Sequence, residues 1–159
     1  MIRKKILLIG DFGVGKTSLI RRYVDNTFDD RYLTTIGVKI SRKHVVVDGI
    51  QCELLIWDIE GAATTDQIPE SYFKGASGVI FVCDISRKQT IQGLRSHIEY
   101  FTANHTAKYV VACNKVDLLT SAPAVPSDLA PPEQMILTSA KENTNVDYLF
   151  SLIARKVLL

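Results

Sequence analysis

The chain has 159 residues, 47% of them hydrophobic, with nineteen basic against seventeen acidic side chains. That length and apolar share suit one globular domain over 1–159 and leave no room for a second. A net charge of +2 is too slight to argue for nucleic acid or an anionic membrane surface as a partner.

Cys52, Cys83 and Cys113 all lie inside apolar runs, the pattern of small buried hydrophobes in a reducing compartment rather than of a disulfide set. No apolar run approaches the roughly 20 residues that span a bilayer. The apolar stretch before Gly10 is too short for a signal peptide, and the closing "IARKVLL" has no cysteine to take a prenyl group. The expectation is a cytoplasmic chain with no membrane anchor in these residues.

The first element is the run "KILLIG" at 5–10, apolar almost throughout, as strands covered on both faces are. It leads into "GDFGVGKT" and then the helical stretch "KTSLIRRYV". Gly10, Gly15, Lys16 and Thr17 satisfy G-x-x-x-x-G-K-[ST] in the setting the motif requires, strand before and helix after. Glycines let the backbone N–H groups of Gly13, Val14, Gly15 and the residues through Ser18 turn toward a phosphate. The helix N-terminus adds positive potential, Lys16 reaches the outer phosphates, and the Thr17 hydroxyl can ligate magnesium.

Thr35, in "TTIG" on a polar segment, is a candidate to close over the same metal. From Val38 to Trp57 two strand-like runs meet at Asp48-Gly49, a hairpin signal that makes the first run an antiparallel edge strand. The second ends in "WDIEG", where Asp58 would approach magnesium and the Gly61 N–H could bond a terminal phosphate.

"GVIFVCD" at 78–84 and "YVVACN" at 109–114 read as further buried strands. Between them Ile91, Leu94, Ile98 and Phe101 mark one face of a helix over 87–104. The tetrapeptide "NKVD" at 114–117 leaves a strand on the ligand side of such a sheet. Asp117 can accept from the N1 and N2 donors of guanine, a pair adenine lacks; Asn114 could either hold the loop or bind O6 and N7. Residues 121–134 hold four prolines and support little more than one helical turn. A last amphipathic helix runs over about 145–158, with Val146, Leu149, Phe150 and Ile153 inward and Asn143 or Asn145 as its cap. Strands alternating with helices imply a doubly wound α/β fold with ligands at the carboxyl ends of the strands.

With these elements in this order the sequence resembles the Ras superfamily of small GTPases, most closely its Rab branch. The likeness covers nearly the whole chain through "GDFGVGKTSLI", "TTIGV", "LLIWD", "SYFKGASGVIFVCDIS", "NKVDL" and "TSAK". The resemblance implies a three-layer phosphate-loop G domain with a six-stranded, mostly parallel sheet, one antiparallel edge strand, and helices on both faces. It implies a monomeric guanine-nucleotide switch that binds GTP or GDP with Mg2+ and hydrolyses GTP. Phe28 and the Lys115 stem would flank the guanine, Ser139, Ala140 and Lys141 would complete the base pocket, and Tyr32 would fold over the phosphates. Segments 28–40 and 58–72, with Trp57 and Tyr72, would meet protein effectors and regulators, and the catalytic set would be Lys16, Thr35, Gly61 and Glu60.

The departures are specific. Where Rab proteins read WDTAGQE this chain reads "WDIEGAA", so Ala62 stands in place of the glutamine that positions the attacking water. Ile40 replaces a phenylalanine of the effector triad. The proline-rich segment is several residues short, which implies a shortened or missing peripheral helix. Phe12 stands where relatives carry glycine or serine, beside the expected terminal phosphate. Slow hydrolysis follows as the expectation, with a GTP-locked binding module of negligible turnover as the alternative. A nucleotide kinase on the same loop is disfavoured, since the motifs leave no acceptor-binding lid.

Overall fold

The structure is a computed structural model that describes residues 1–29, 37–59, 61, 67–121, 126 and 128–159. Tyr32, Thr35, Glu60 and Ala62 lie outside the described residues. Six strands, β1 (Ile2–Ile9), β2 (Val38–Val47), β3 (Ile50–Ile59), β4 (Ala76–Asp84), β5 (Lys108–Asn114) and β6 (Met135–Leu137), form one sheet in the order β2-β3-β1-β4-β5-β6. The β2–β3 pair is antiparallel, and every other pair is parallel.

Strand periodicity explains the unbroken apolar runs. In β1, Ile6 and Leu8 point to one face while Leu7 and Ile9 point to the other, and all four are sealed from solvent. The first face is covered by helices α1 (Lys16–Asp25) and α4 (Val146–Leu158), whose Leu19, Tyr23, Leu149, Phe150 and Ile153 join one core cluster. Tyr23 stacks on Phe150 at 4.1 Å between ring centroids, joining the two helices. The second face is covered by the short α2 (Glu70–Phe73) and by α3 (Lys88–Asn104), with Phe73, Leu94, Ile98 and Phe101 packed on Leu7, Val79, Phe81 and Val111. All three cysteines are buried free thiols.

At the hairpin, Asp48 and Gly49 both take positive φ, 51° and 80°, as a two-residue turn matched to strand twist requires. Between β5 and β6 the described residues hold only two 3-10 turns, Val116–Leu118 and Pro132–Gln134. The prolines account for that: they remove donors and fix φ where a longer helix would need both free. One expectation needs correction. Asn145 occupies the N-cap position of α4 but in the left-handed region, with no side-chain cap bond, and its amide donates to the Leu137 carbonyl at 2.9 Å instead. Asn143 is likewise left-handed, at φ 57°; both asparagines serve the turn between β6 and α4.

Candidate functional site

The carboxyl ends of β1, β3, β4 and β5 lie side by side, because β1 pairs with β3 on one flank and with β4 on the other. That reversal of strand order is where an open α/β sheet leaves a crevice for ligands. Residues 10–16 turn through it. Gly10 passes so close to β4 that a Cβ would sit 2.2 Å from the Val82 carbonyl oxygen, and Gly15 has φ 101°, which L side chains rarely adopt. The turn therefore needs glycine at both ends.

Lys16 begins α1 and is buried. Its ammonium donates to the carbonyls of Gly10 at 2.8 Å and Asp11 at 3.2 Å, so the side chain curls back over the loop. Burial pushes its pKa down to about 8, against the opposing pull of the Asp58 and Asp11 carboxylates. At the next residue, the Thr17 hydroxyl donates to Asp58 Oδ2 at 2.6 Å, which brings the helix start and the end of β3 together. A hydroxyl and a buried carboxylate at one point fit Mg2+, which takes oxygen ligands, keeps several waters and shares its shell with phosphate. Gly61 lies directly on the loop: a Cβ there would meet the Phe12 nitrogen at 2.7 Å.

The base-side motifs converge on the same loop. Asn114, at the end of β5, donates from Nδ2 to the Val14 carbonyl at 2.9 Å and accepts from the Thr138 hydroxyl at 2.9 Å. These bonds hold the loop, the first of its two sequence-level roles, and leave the second Nδ2 proton outside both of them. Asp117, in the 3-10 turn after β5, accepts from the Ser139 hydroxyl at 2.7 Å. Ser139 also accepts from the Glu142 N–H through that hydroxyl, so the "TSAK" turn and "NKVD" form one polar unit. Lys115 is left-handed, at φ 68°. Its stem runs beside Gly15, and its ammonium lies 3.5 Å from Asp84 Oδ2. Phe28 packs half-buried on the α1/α4 core.

Several contributors carry no motif. Asp84, at the end of β4, accepts from the Ser86 N–H and hydroxyl and pairs with Arg87 at 3.0 Å. Burial would raise its pKa, but the Ser86 bonds, then Lys115 and Arg87, hold it below the usual carboxylate range. Arg87 also donates to the Phe12 carbonyl at 2.9 Å, and Asp11 lies 3.6 Å from buried His97 of α3. The loop is braced from β4 and α3 as well as from β5. Position at a strand's carboxyl end could have flagged Asp84 and Arg87; nothing local marks His97.

The Phe12 ring is half exposed. It walls a cleft of about 370 Å³ with Gly37, Ile59, Gly61, Gln67, Ile68, Pro69 and Tyr72. Along the neighbouring surface Trp57 meets Tyr72 edge to face at 5.8 Å, Lys5 caps the Trp57 ring at 3.7 Å, and Ile40 stands exposed in register with Trp57.

Comparison with known proteins agrees with this geometry. The Ras family model matches residues 5–159. The chain is 34% identical to the Ras-related protein Rab-13 of Canis lupus familiaris, over 98% of this chain and 80% of the relative. It is 35% identical to Ras-related protein Rab-1A of Dictyostelium discoideum, over 96% and 79%, and 36% identical to Ras-related protein RABE1d of Arabidopsis thaliana, over 96% and 74%. The Ras family model over residues 5–159 and relatives of 34% to 36% identity over nearly the whole chain make it a member of the Ras family and a Rab-like small GTPase.

Proposed function

We propose that this chain is a slow guanine-nucleotide switch: it binds GTP and GDP with Mg2+, hydrolyses GTP weakly, and presents different surfaces in the two states. The observation that carries the reading is the Asn114–Val14 bond, which seats the base-reading loop directly against the phosphate loop. The backbone N–H groups of Gly13 to Ser18 and the Lys16 ammonium hold the phosphates. Asp117 reads the guanine N1–H and 2-amino group, the Ala140 N–H faces O6, and Phe28 and the Lys115 stem flank the ring beside Ser139 and Lys141. Thr17, Asp58 and Thr35 hold Mg2+, which when bound offsets phosphate charge. The Gly61 N–H meets the terminal phosphate, Tyr32 closes over it, and Glu60 takes the water-orienting role where Ala62 has no side-chain amide. The site of action is the cytoplasm, and effectors and regulators engage 28–40 and 58–72 with Trp57 and Tyr72.

A second reading, a GTP-locked binding module, is favoured by Phe12. Its ring lines the cleft beside Gly61, where it would obstruct an arginine supplied by an activating protein. The test is the nucleotide that co-purifies, separated by chromatography after denaturation, followed by single-turnover hydrolysis. GDP with measurable phosphate release supports the slow switch, and retained GTP without release supports the locked module. ATP competing equally with GTP overturns both.

A further inference from the structure

Arg22 is a half-buried residue in the last turn of α1, where an arginine ordinarily serves the helix terminus. Its contacts to that terminus are weak: Nη1 lies 3.5 Å from the Asn26 carbonyl and 3.4 Å from its side-chain oxygen. The short bonds go elsewhere. Nε donates to the Ala140 carbonyl and Nη2 to the Lys141 carbonyl, both at 2.9 Å, across more than a hundred residues of chain.

A guanidinium that donates two roughly parallel N–H bonds fixes orientation as well as distance, which a single-point cation does not. Here it fixes two successive peptide units of the loop after β6. The Ala140 carbonyl belongs to the peptide plane of the Lys141 N–H, and the Lys141 carbonyl to that of the Glu142 N–H, itself bonded to Ser139 Oγ. Ser139 in turn donates to Asp117. Arg22 therefore closes a ring that runs from α1 to the 139–142 loop, to Asp117, and through Asn114 to Val14 and the start of α1.

We infer that Arg22 is a positioning residue for the base pocket: it touches no nucleotide and holds Ala140 and Lys141 at the spacing the guanine edge requires. The inference rests on the guanine-site reading above and deepens it. It assigns α1 a double task, presenting phosphate ligands at its first turn and clamping the base loop at its last, so that release of the base edge is coupled to movement of the helix carrying Lys16 and Thr17.

The test uses the full chain with Mg2+ and a fluorescent GDP. Release is timed for wild type, Arg22→Met, which keeps the stem and loses every donor, and Arg22→Lys, which keeps the charge. Amide hydrogen exchange is followed in parallel, with and without GDP. We expect Arg22→Met to release GDP about tenfold to a hundredfold faster, the scale of one or two lost charge-assisted bonds. Faster exchange should be confined to 139–142, with Arg22→Lys intermediate in both. Unchanged release in Arg22→Met, with wild type binding GDP normally, overturns the inference alone. Exchange raised uniformly along the chain, with a lowered melting temperature, reduces Arg22 to a structural cap and also overturns it. Wild type that binds no GDP overturns the guanine-site reading and the inference together.

Discussion

Asn114 donates its amide to the Val14 carbonyl at 2.9 Å, bonding the loop after β5 to the loop after β1. The same side chain accepts from Thr138, and its Nδ2 fills the space that a Cβ on Gly15 would need, 2.3 Å away. Asn114→Ala leaves a buried carbonyl and a buried hydroxyl without partners, at about 1–3 kcal/mol each. We expect at least about tenfold faster GDP release, with a lower melting temperature. Release kinetics of a fluorescent GDP check this; an unchanged rate means the two loops are held together by something else.

In the proposed reading base choice rests on Asp117, which the Ser139 hydroxyl already orients. Asp117→Asn replaces an acceptor by a donor, which suits the O2 of xanthine and opposes the 2-amino group of guanine. The variant should prefer XDP to GDP, and wild type the reverse, in competition against the fluorescent nucleotide. Equal preference in both proteins removes Asp117 from the base.

In the proposed reading Mg2+ would sit at the Thr17–Asp58 contact of 2.6 Å. Thr17→Asn should weaken GTP more than GDP, since the triphosphate state asks more of the metal, and chelating Mg2+ should speed nucleotide release from wild type. Release that ignores the chelator would contradict magnesium coordination at this pair.

Lys16 supplies a pH signature. Unfolded, it titrates near 10.5, and in the folded nucleotide-free chain near 8, because burial penalises the ammonium. Between those values the folded chain has lost a proton that the unfolded chain keeps, so stability of the nucleotide-free protein rises with pH across that window. Below about 8 both states hold the proton, and the fold carries the full cost of burying the charge. Phosphates restore the ammonium, so nucleotide binding above pH 8 should take up a proton and weaken as pH climbs. Calorimetry at pH 9 in two buffers of different ionisation enthalpy measures the uptake; Lys16→Met should abolish it.

Hydrolysis tests Phe12 and the missing glutamine. Ala62→Gln should raise single-turnover hydrolysis by about tenfold or more by restoring a water-orienting amide, and Glu60→Ala should lower it. Phe12→Gly, which clears the cleft wall beside Gly61, should matter chiefly when an activating arginine is supplied. A wild-type rate already equal to that of glutamine-bearing relatives would end the impaired-hydrolysis reading.

The sequence by itself determined the chemistry that is contiguous along the chain. Gly10 to Thr17 and Asn114 to Asp117 were legible because each motif carries its own backbone geometry, and the central strands β1, β4 and β5 because both their faces are apolar. It also showed the hairpin at Asp48-Gly49, whose turn demands left-handed residues whatever surrounds it. Tertiary structure decided what depends on partners far along the chain. Asn114 showed no partner of its own until Val14 and Thr138 were placed around it. Asn145 read as a cap until its amide found the Leu137 carbonyl. Three-residue β6 was placed by no pattern, being too short to show a period, and forms because β5 offers it an edge to pair with. Arg22 and His97 were silent for a different reason: a charged or polar side chain on a helix has no assigned meaning until folding sets a carbonyl or a carboxylate within its reach.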